Sequence, residues 1–329
     1  MQKKAFILGI GGQDGFLISE LLIKKNYLVY GFYKNNIKTY NKKIKYIKFD
    51  LNKFTNFTKY LKKYNPLEIY NFSSISTIEE TEKKIIENDQ VNSRAVFYLM
   101  NKIFLYNKKI KFFHALSSKI FRKKKKINKI NEKSEFEATD AYSIAKLNTY
   151  FYLKYFREKY KCKFYSAFLF NHNSYYSCNK FFPKKICHEL MLLKKNKIKI
   201  INVKEIDSFR DWSSALDVVR NIHRLIKKKP DDYVLGSEKL YSVRKFIETA
   251  AINVGYEIYW KKISSNLYGI DRKTKKKIIK VNSSKNNKNN KNNKYVYADC
   301  KKFKRKIGKL NNMSFKSFTR DILYNKNFN

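Results

Sequence analysis

The chain has 329 residues, 43% hydrophobic and 16% aromatic, ample for a sizeable core in one large domain or two closely joined ones. Its formal net charge of +46 suggests a nucleic-acid binder, but only ten of the 73 basic residues are arginine, while lysine, asparagine, isoleucine, tyrosine and phenylalanine abound. That bias fits an A- and T-rich genome and solvated lysine faces rather than a specific nucleic-acid partner, and no apolar run is long enough to cross a bilayer. "KAFILGI" reads as a first strand buried on both faces, flowing into a glycine turn with no cleavage site, so it is not a signal peptide. "GFLISELLIKKN" carries Phe16, Leu17, Leu21 and Leu22 on one helical stripe, and "YLVYGFY" is a second strand. "KIKYIKFDL" is a third, "NFTKYLKKY" a helix, "LEIYNFSS" a fourth strand, and 79–108 a long helical stretch. "KIKFFHALSS" is a fifth strand, 141–160 a long helix, and "KFYSAFLFNH" a sixth strand. Helices follow at 180–195, 213–228 and 242–254.

Strand and helix alternating at this spacing predict an α/β fold, a Rossmann-type doubly wound parallel sheet with a smaller C-terminal domain. The boundary falls near residue 170: 1–170 binds the cofactor and 171–329 mainly the substrate, with a further strand and helix lent to the sheet by about 197–228. The asparagine–lysine tract at about 280–295 cannot bury apolar area and is expected as a disordered surface insertion. The run "RKKKK" at 122–126 is expected as a solvated loop. Cys162, Cys178, Cys187 and Cys300 show no ligand spacing and read as reduced thiols in a cytosol; no metal site is expected.

Gly9, Gly12 and Gly15 give G-x-x-G-x-x-G between a strand and a helix, in a chain with only nine glycines. A dinucleotide turn needs glycine for the tight bend, for close approach of a pyrophosphate and for packing helix on strand. The helix N-terminus then offers amides and a positive dipole end. Gln13 and Asp14 lie within the same turn. At the end of the second strand no acid stands ready for a ribose 2′-hydroxyl; Lys34 is there instead, which favours NADP. Asp50 and Leu51, after the third strand, are placed to hold the adenine edge.

"AYSIAK" sets Tyr142 and Lys146 one helical turn apart. An ammonium beside a phenol is expected to lower its pKa and fit it for acid–base work near neutrality. Ser117 ends the fifth strand, where it can share a substrate hydroxyl with Tyr142.

These residues, with "GIGGQDGFLISELL", "PLEIYNFSS", "LFNH", "FRDW" and "PDDYVLGSEKLYSVRKFIE", resemble the extended short-chain dehydrogenase/reductases, most of all the GDP-mannose 4,6-dehydratases, over residues 4 to 260. The resemblance implies a mechanism: oxidation at sugar C4 with Tyr142 as base, loss of the C6 hydroxyl with removal of the C5 proton, and reduction at C6. It implies a GDP-sugar substrate contacted by Asn171, Lys185 and Arg210, and a homodimer or homotetramer. One departure bears on the elimination. The family reads Thr-Ser-Glu at the fifth strand's end, and the glutamate serves as the elimination base; this chain reads Ser117-Ser118-Lys119. Glu132, Glu135 and Glu137 lie in the following loop as possible substitutes. The family's Glu-Ser-Pro-Arg after "LFNH" is replaced by Asn173-Ser174-Tyr175-Tyr176, and its later arginine-x-x-glutamate by the asparagine–lysine tract. Besides a dehydratase, two alternatives stay open: an NADP-dependent nucleotide-sugar reductase or epimerase without an elimination base, and a degenerate, non-catalytic homologue.

Overall fold

The computed structural model describes residues 2–35, 37, 41–75, 81–124, 126–282 and 295–324. β1 (Lys4–Leu8) runs into α1 (Gln13–Lys24); β2 (Leu28–Tyr33) and β3 (Ile44–Lys48) follow. α2 (Phe57–Tyr64) leads to β4 (Glu68–Asn71). α3 (Glu82–Asp89) joins α4 (Ala95–Asn107) through a π-helical turn at Gln90–Arg94. Next come β5 (Lys111–Ser117), β6 (Ile127–Ile130), α5 (Ala141–Tyr160) and β7 (Phe164–Leu169).

The later part has shorter strands: β8 (Asn171–Asn173), then after α6 (Phe182–Lys194) β9 (Ile201–Val203), β10 (Phe209–Arg210) and β11 (Trp212–Ser214). α7 (Ala215–Leu225), β12 (Asp232–Leu235), β13 (Tyr241–Ser242) and α8 (Val243–Val254) lead to a meander of β14 (Ile258–Ile263), β15 (Asn266–Asp271) and β16 (Lys277–Val281). β17 (Tyr295–Ala298), α9 (Lys301–Ile307) and α10 (Phe315–Leu323) close the described chain.

Seven strands form one parallel sheet in the order β12-β7-β5-β4-β1-β2-β3. Central strands are buried on both faces, which is why β1 after Lys4 reads as an unbroken apolar run and β7 is interrupted only by the buried Ser166. The order reverses between β1 and β4, so a crevice opens at their carboxyl ends. A second core gathers Leu190, Ile201, Trp212, Phe246, Ile279 and Phe318 beside a four-stranded sheet, β14-β15-β16-β9. Among the described residues no helix is long and apolar enough to cross a membrane.

Two expectations change. The seventh strand of the central sheet is β12, beyond the 197–228 stretch, because Tyr233, Val234 and Leu235 are apolar enough to be buried against β7. Ile201–Val203 pairs with β16 in the other sheet instead. From the same stretch, α7 places Val218, Val219, Ile222 and Leu225 in the main core. The tract expected as an insertion at 280–295 falls outside the described residues from 283 to 294; Lys280 and Val281 complete β16, and Tyr295 opens β17.

At the turn between β1 and α1 the backbone segments approach closely. Gly9 has φ +83°, and a Cβ there would lie 2.8 Å from the Ser73 amide nitrogen. A Cβ on Gly15 would lie 2.3 Å from the Gly9 carbonyl oxygen, whereas one on Gly12 would be 3.4 Å away. Gly15→Ala is therefore expected to destabilise the fold by on the order of 3 kcal/mol, well beyond Gly12→Ala, in denaturant titrations of the two variants.

Candidate active site

Gly12 caps α1 with no side chain of its own, so the first-turn amides face the crevice as an anion seat. The room left by Gly9 and Gly12 and this uncapped helix start fit a dinucleotide pyrophosphate. Gln13 and Asp14, expected as cofactor contacts, have side chains turned to the 170s loop. Gln13 Oε1 accepts from the Ser174 hydroxyl at 3.0 Å and from Ser177, and its Nε2 donates to the His172 carbonyl at 3.3 Å. Asp14 meets His172 Nε2 at 2.9 Å. Burial would lower the His172 pKa, but the Asp14 charge and hydrogen bond reverse the shift and raise it. Burial likewise opposes Asp14, yet His172 holds that carboxyl below its usual value. The pair thus ties the Asp14 carboxylate to His172 rather than leaving it free beside the helix start.

At the far end of the crevice, Lys34 and Asp50 pair with each other at 3.0 Å. Leu51 is buried in the main core, so its side chain packs under the crevice rather than lining it.

The acid–base group is assembled from three elements. Asp140 caps α5: its Oδ1 accepts from the Ser143 amide at 2.8 Å, and Ser143 Oγ accepts from the Asp140 amide at 3.1 Å. This capping box holds the first turn, which carries Tyr142, with Lys146 one turn on. The Ser117 hydroxyl, at the end of β5, and the Ser74 hydroxyl, just past β4, stand near the Tyr142 phenol and favour its ionised form. Ser74 is a site residue the sequence reading missed. It is aimed by Asn92, which accepts from Ser74 Oγ at 2.9 Å and from the Ile75 amide at 2.9 Å. Asn92 is buried in the π-helical turn, a polar residue inside an otherwise helical run, and that was its only sequence signal.

The expected lowering of the phenol's pKa does not occur. Burial raises the Tyr142 pKa, against the opposing hydrogen bonds from Ser117 and Ser74. Burial also lowers Lys146 to about 7, and its Nζ donates to the Ala115 carbonyl at 3.0 Å, 5.8 Å from the phenol ring. An amine only partly charged near neutrality cannot hold the phenolate strongly.

Lys119 Nζ lies 3.6 Å from Asp140 Oδ2 and 5.8 Å from the Tyr142 ring. The three nearby glutamates are occupied elsewhere. Glu132 accepts from the Val234 amide at 2.8 Å, Glu135 pairs with Arg122 and Lys124, and Glu137 pairs with Arg122. Within the basic run, Arg122 and Lys124 are thus ion-paired; Lys125 lies outside the described residues. Lys123 behaves differently: desolvation of its ammonium, with repulsion from Arg210 and Lys119, lowers its pKa. Arg210 is exposed on β10, and Asn171 is exposed at the start of β8. Lys185 sits on the exposed side of α6, 3.9 Å from Glu189, and none of its described contacts reaches the cluster around Tyr142.

A family model described as GDP-mannose 4,6 dehydratase matches residues 6–322. The chain belongs to that family. The human GDP-mannose 4,6 dehydratase is 26% identical over 97% of this chain and 90% of its own length. Among solved structures, the UDP-glucose 4-epimerase of Thermotoga maritima, with UDP-glucose, superposes with TM-score 0.79 at 15% identity, covering 97% of each chain. RMD from Pseudomonas aeruginosa, complexed with NADPH, gives 0.76 at 15% identity over 98% of each chain. Membership of this family makes the chain a nucleotide-sugar enzyme of the dehydratase/epimerase type.

The Lys146 shift has a measurable consequence. Between about pH 7 and the unfolded lysine value near 10.4, the folded chain binds fewer protons at this site than the unfolded chain. The stability from this site therefore rises with pH across that window. The melting temperature of the wild type minus that of Lys146→Met is expected to climb from pH 7 to 9 in calorimetry; a flat difference would mean an ordinary, charged lysine.

Proposed function

We propose that the protein is an NADP-dependent GDP-mannose 4,6-dehydratase, forming GDP-4-keto-6-deoxymannose. The observation that carries this reading is the convergence of Tyr142, Ser117, Ser74 and Lys146 on the crevice that begins at the β1–α1 turn. The cofactor would lie along the glycine turn, with Lys34 toward a 2′-phosphate, and when bound it supplies the acceptor and donor of hydride. Tyr142 takes the C4 hydroxyl proton, and Ser117 and Ser74 hold that oxygen in line with the phenol. Lys146 exchanges protons near neutrality. Asn171 meets the sugar and Arg210 the diphosphate, with Lys123 adding charge beside it; Lys185 assists at the nucleotide. The exposed Leu105 on α4 and Phe151 and Tyr155 on α5 support a homodimer through those helices. The cytoplasm is the compartment consistent with free Cys162, Cys187 and Cys300 and a nucleotide-sugar substrate.

Lys119 favours a second reading, a nucleotide-sugar reductase or epimerase in which elimination is absent. Incubation with GDP-mannose and NADP is expected to yield the 4-keto-6-deoxy sugar, detected by mass spectrometry, and Tyr142→Phe to slow its formation by roughly 10²- to 10⁴-fold. No product from GDP-mannose, together with NADPH consumed on a supplied 4-keto sugar, would establish the second reading. In a separate fluorescence titration, Lys34→Ala is expected to weaken NADPH binding about tenfold, one charge-assisted contact's worth, and NADH binding far less.

A further inference from the structure

Loss of water from a sugar with a ketone at C4 needs two opposite groups: a base for the C5 proton and an acid for the departing C6 hydroxyl. At the position where a glutamate was expected, the chain has an ammonium. It stands 3.6 Å from a carboxylate contributed by another element. We propose that Asp140 and Lys119 act together as the elimination pair, Asp140 as the base at C5 and Lys119 as the acid at the C6 oxygen. The proposal rests on the dehydratase reading above.

Both residues are tied to the redox cluster by short backbone links. Lys119 lies in a 3₁₀ turn directly after β5, and its amide donates to Ser117 Oγ at 3.2 Å. Asp140 opens α5 two residues before Tyr142, and its charge acts on that phenol. The two carboxylate oxygens of Asp140 have separate tasks. Oδ1 is held by the Ser143 amide, which fixes the rotamer, and Oδ2 faces Lys119. Both side chains remain partly solvent-accessible, at 25% exposed for Asp140 and 44% for Lys119. The other carboxylates near the crevice are committed: Asp14 to His172, Asp50 to Lys34, Glu135 and Glu137 to Arg122.

The step balances without a further reactant. The C5–H bond breaks and its proton goes to Asp140; the electron pair forms the C5=C6 double bond. The C6–O bond breaks, and the oxygen leaves as water with a proton from Lys119. With the hydride that a bound nicotinamide cofactor would supply at C6, Asp140 returns its proton to C5. Lys119 is recharged from solvent, which also takes the proton Tyr142 gained.

Removal of the C5 proton is testable apart from the redox steps. GDP-4-keto-6-deoxymannose supplied to the enzyme in D₂O is expected to exchange its C5 hydrogen, followed by NMR. Asp140→Asn keeps a good helix cap, so folding is preserved; NADPH fluorescence and melting check this. Exchange is expected to fall at least 100-fold in Asp140→Asn, far more than the burst of reduced cofactor on GDP-mannose, with partial return in Asp140→Glu. Lys119→Met is expected to slow water loss more than C5 exchange. Wild-type exchange in Asp140→Asn, or wild-type dehydration in Lys119→Met, would overturn the pair while leaving C4 oxidation standing. If the wild type forms neither reduced cofactor nor product from GDP-mannose, it is the dehydratase reading that fails, and the pair with it.

Discussion

The seating of α1 against β1 is the constraint on which the rest of the site depends. The helix can start where it does only because Gly9 and Gly15 have no Cβ: the space a side chain would need is filled by the Gly9 carbonyl and the Phe72–Ser73 backbone. That contact aims the helix's first amides into the crevice where the strand order reverses. It also brings the β1–α1 turn against the end of β4, the segment that supplies Ser74 to the phenol. Phosphate seat and acid–base group therefore share one rigid junction.

Gln13 and Asp14 extend this junction to the later part of the chain. Their bonds to His172, Ser174 and Ser177 run from the cofactor turn to the segment beyond β7. That segment pairs through β8 with β11, next to Arg210 on β10. Removing one partner from a part-buried hydrogen-bonded contact of this kind leaves the other unsatisfied, which is costly. Strands β8 and β11 are thus tied to the helix start by polar bonds rather than by apolar packing alone.

The large positive charge is locally structured. Around the crevice, carboxylates meet particular cations: Asp50 with Lys34, Asp14 with His172, Asp140 with Lys119, Glu135 and Glu137 with Arg122. Lys123 and Arg210 lie close enough for their charges to repel, an arrangement that an anionic diphosphate would relieve.

Much of this was legible in the sequence. Apolar runs, helical stripes and three glycines in register marked the parallel sheet and its cofactor turn, because burial on both strand faces and a missing Cβ leave direct traces in residue type. That Tyr142, Lys146 and Ser117 come together was legible because their spacing from strand and helix ends is local. The tertiary structure alone decided which distant groups meet. It selected β12 over Ile201–Val203 as the seventh strand, since pairing depends on which apolar face finds a partner. It placed Ser74 and Asn92 beside Tyr142, and His172 against the β1–α1 turn. It also set the sign of the Tyr142 shift and the pairing of Lys119 with Asp140, because burial and the distance between charges arise only when the chain is folded.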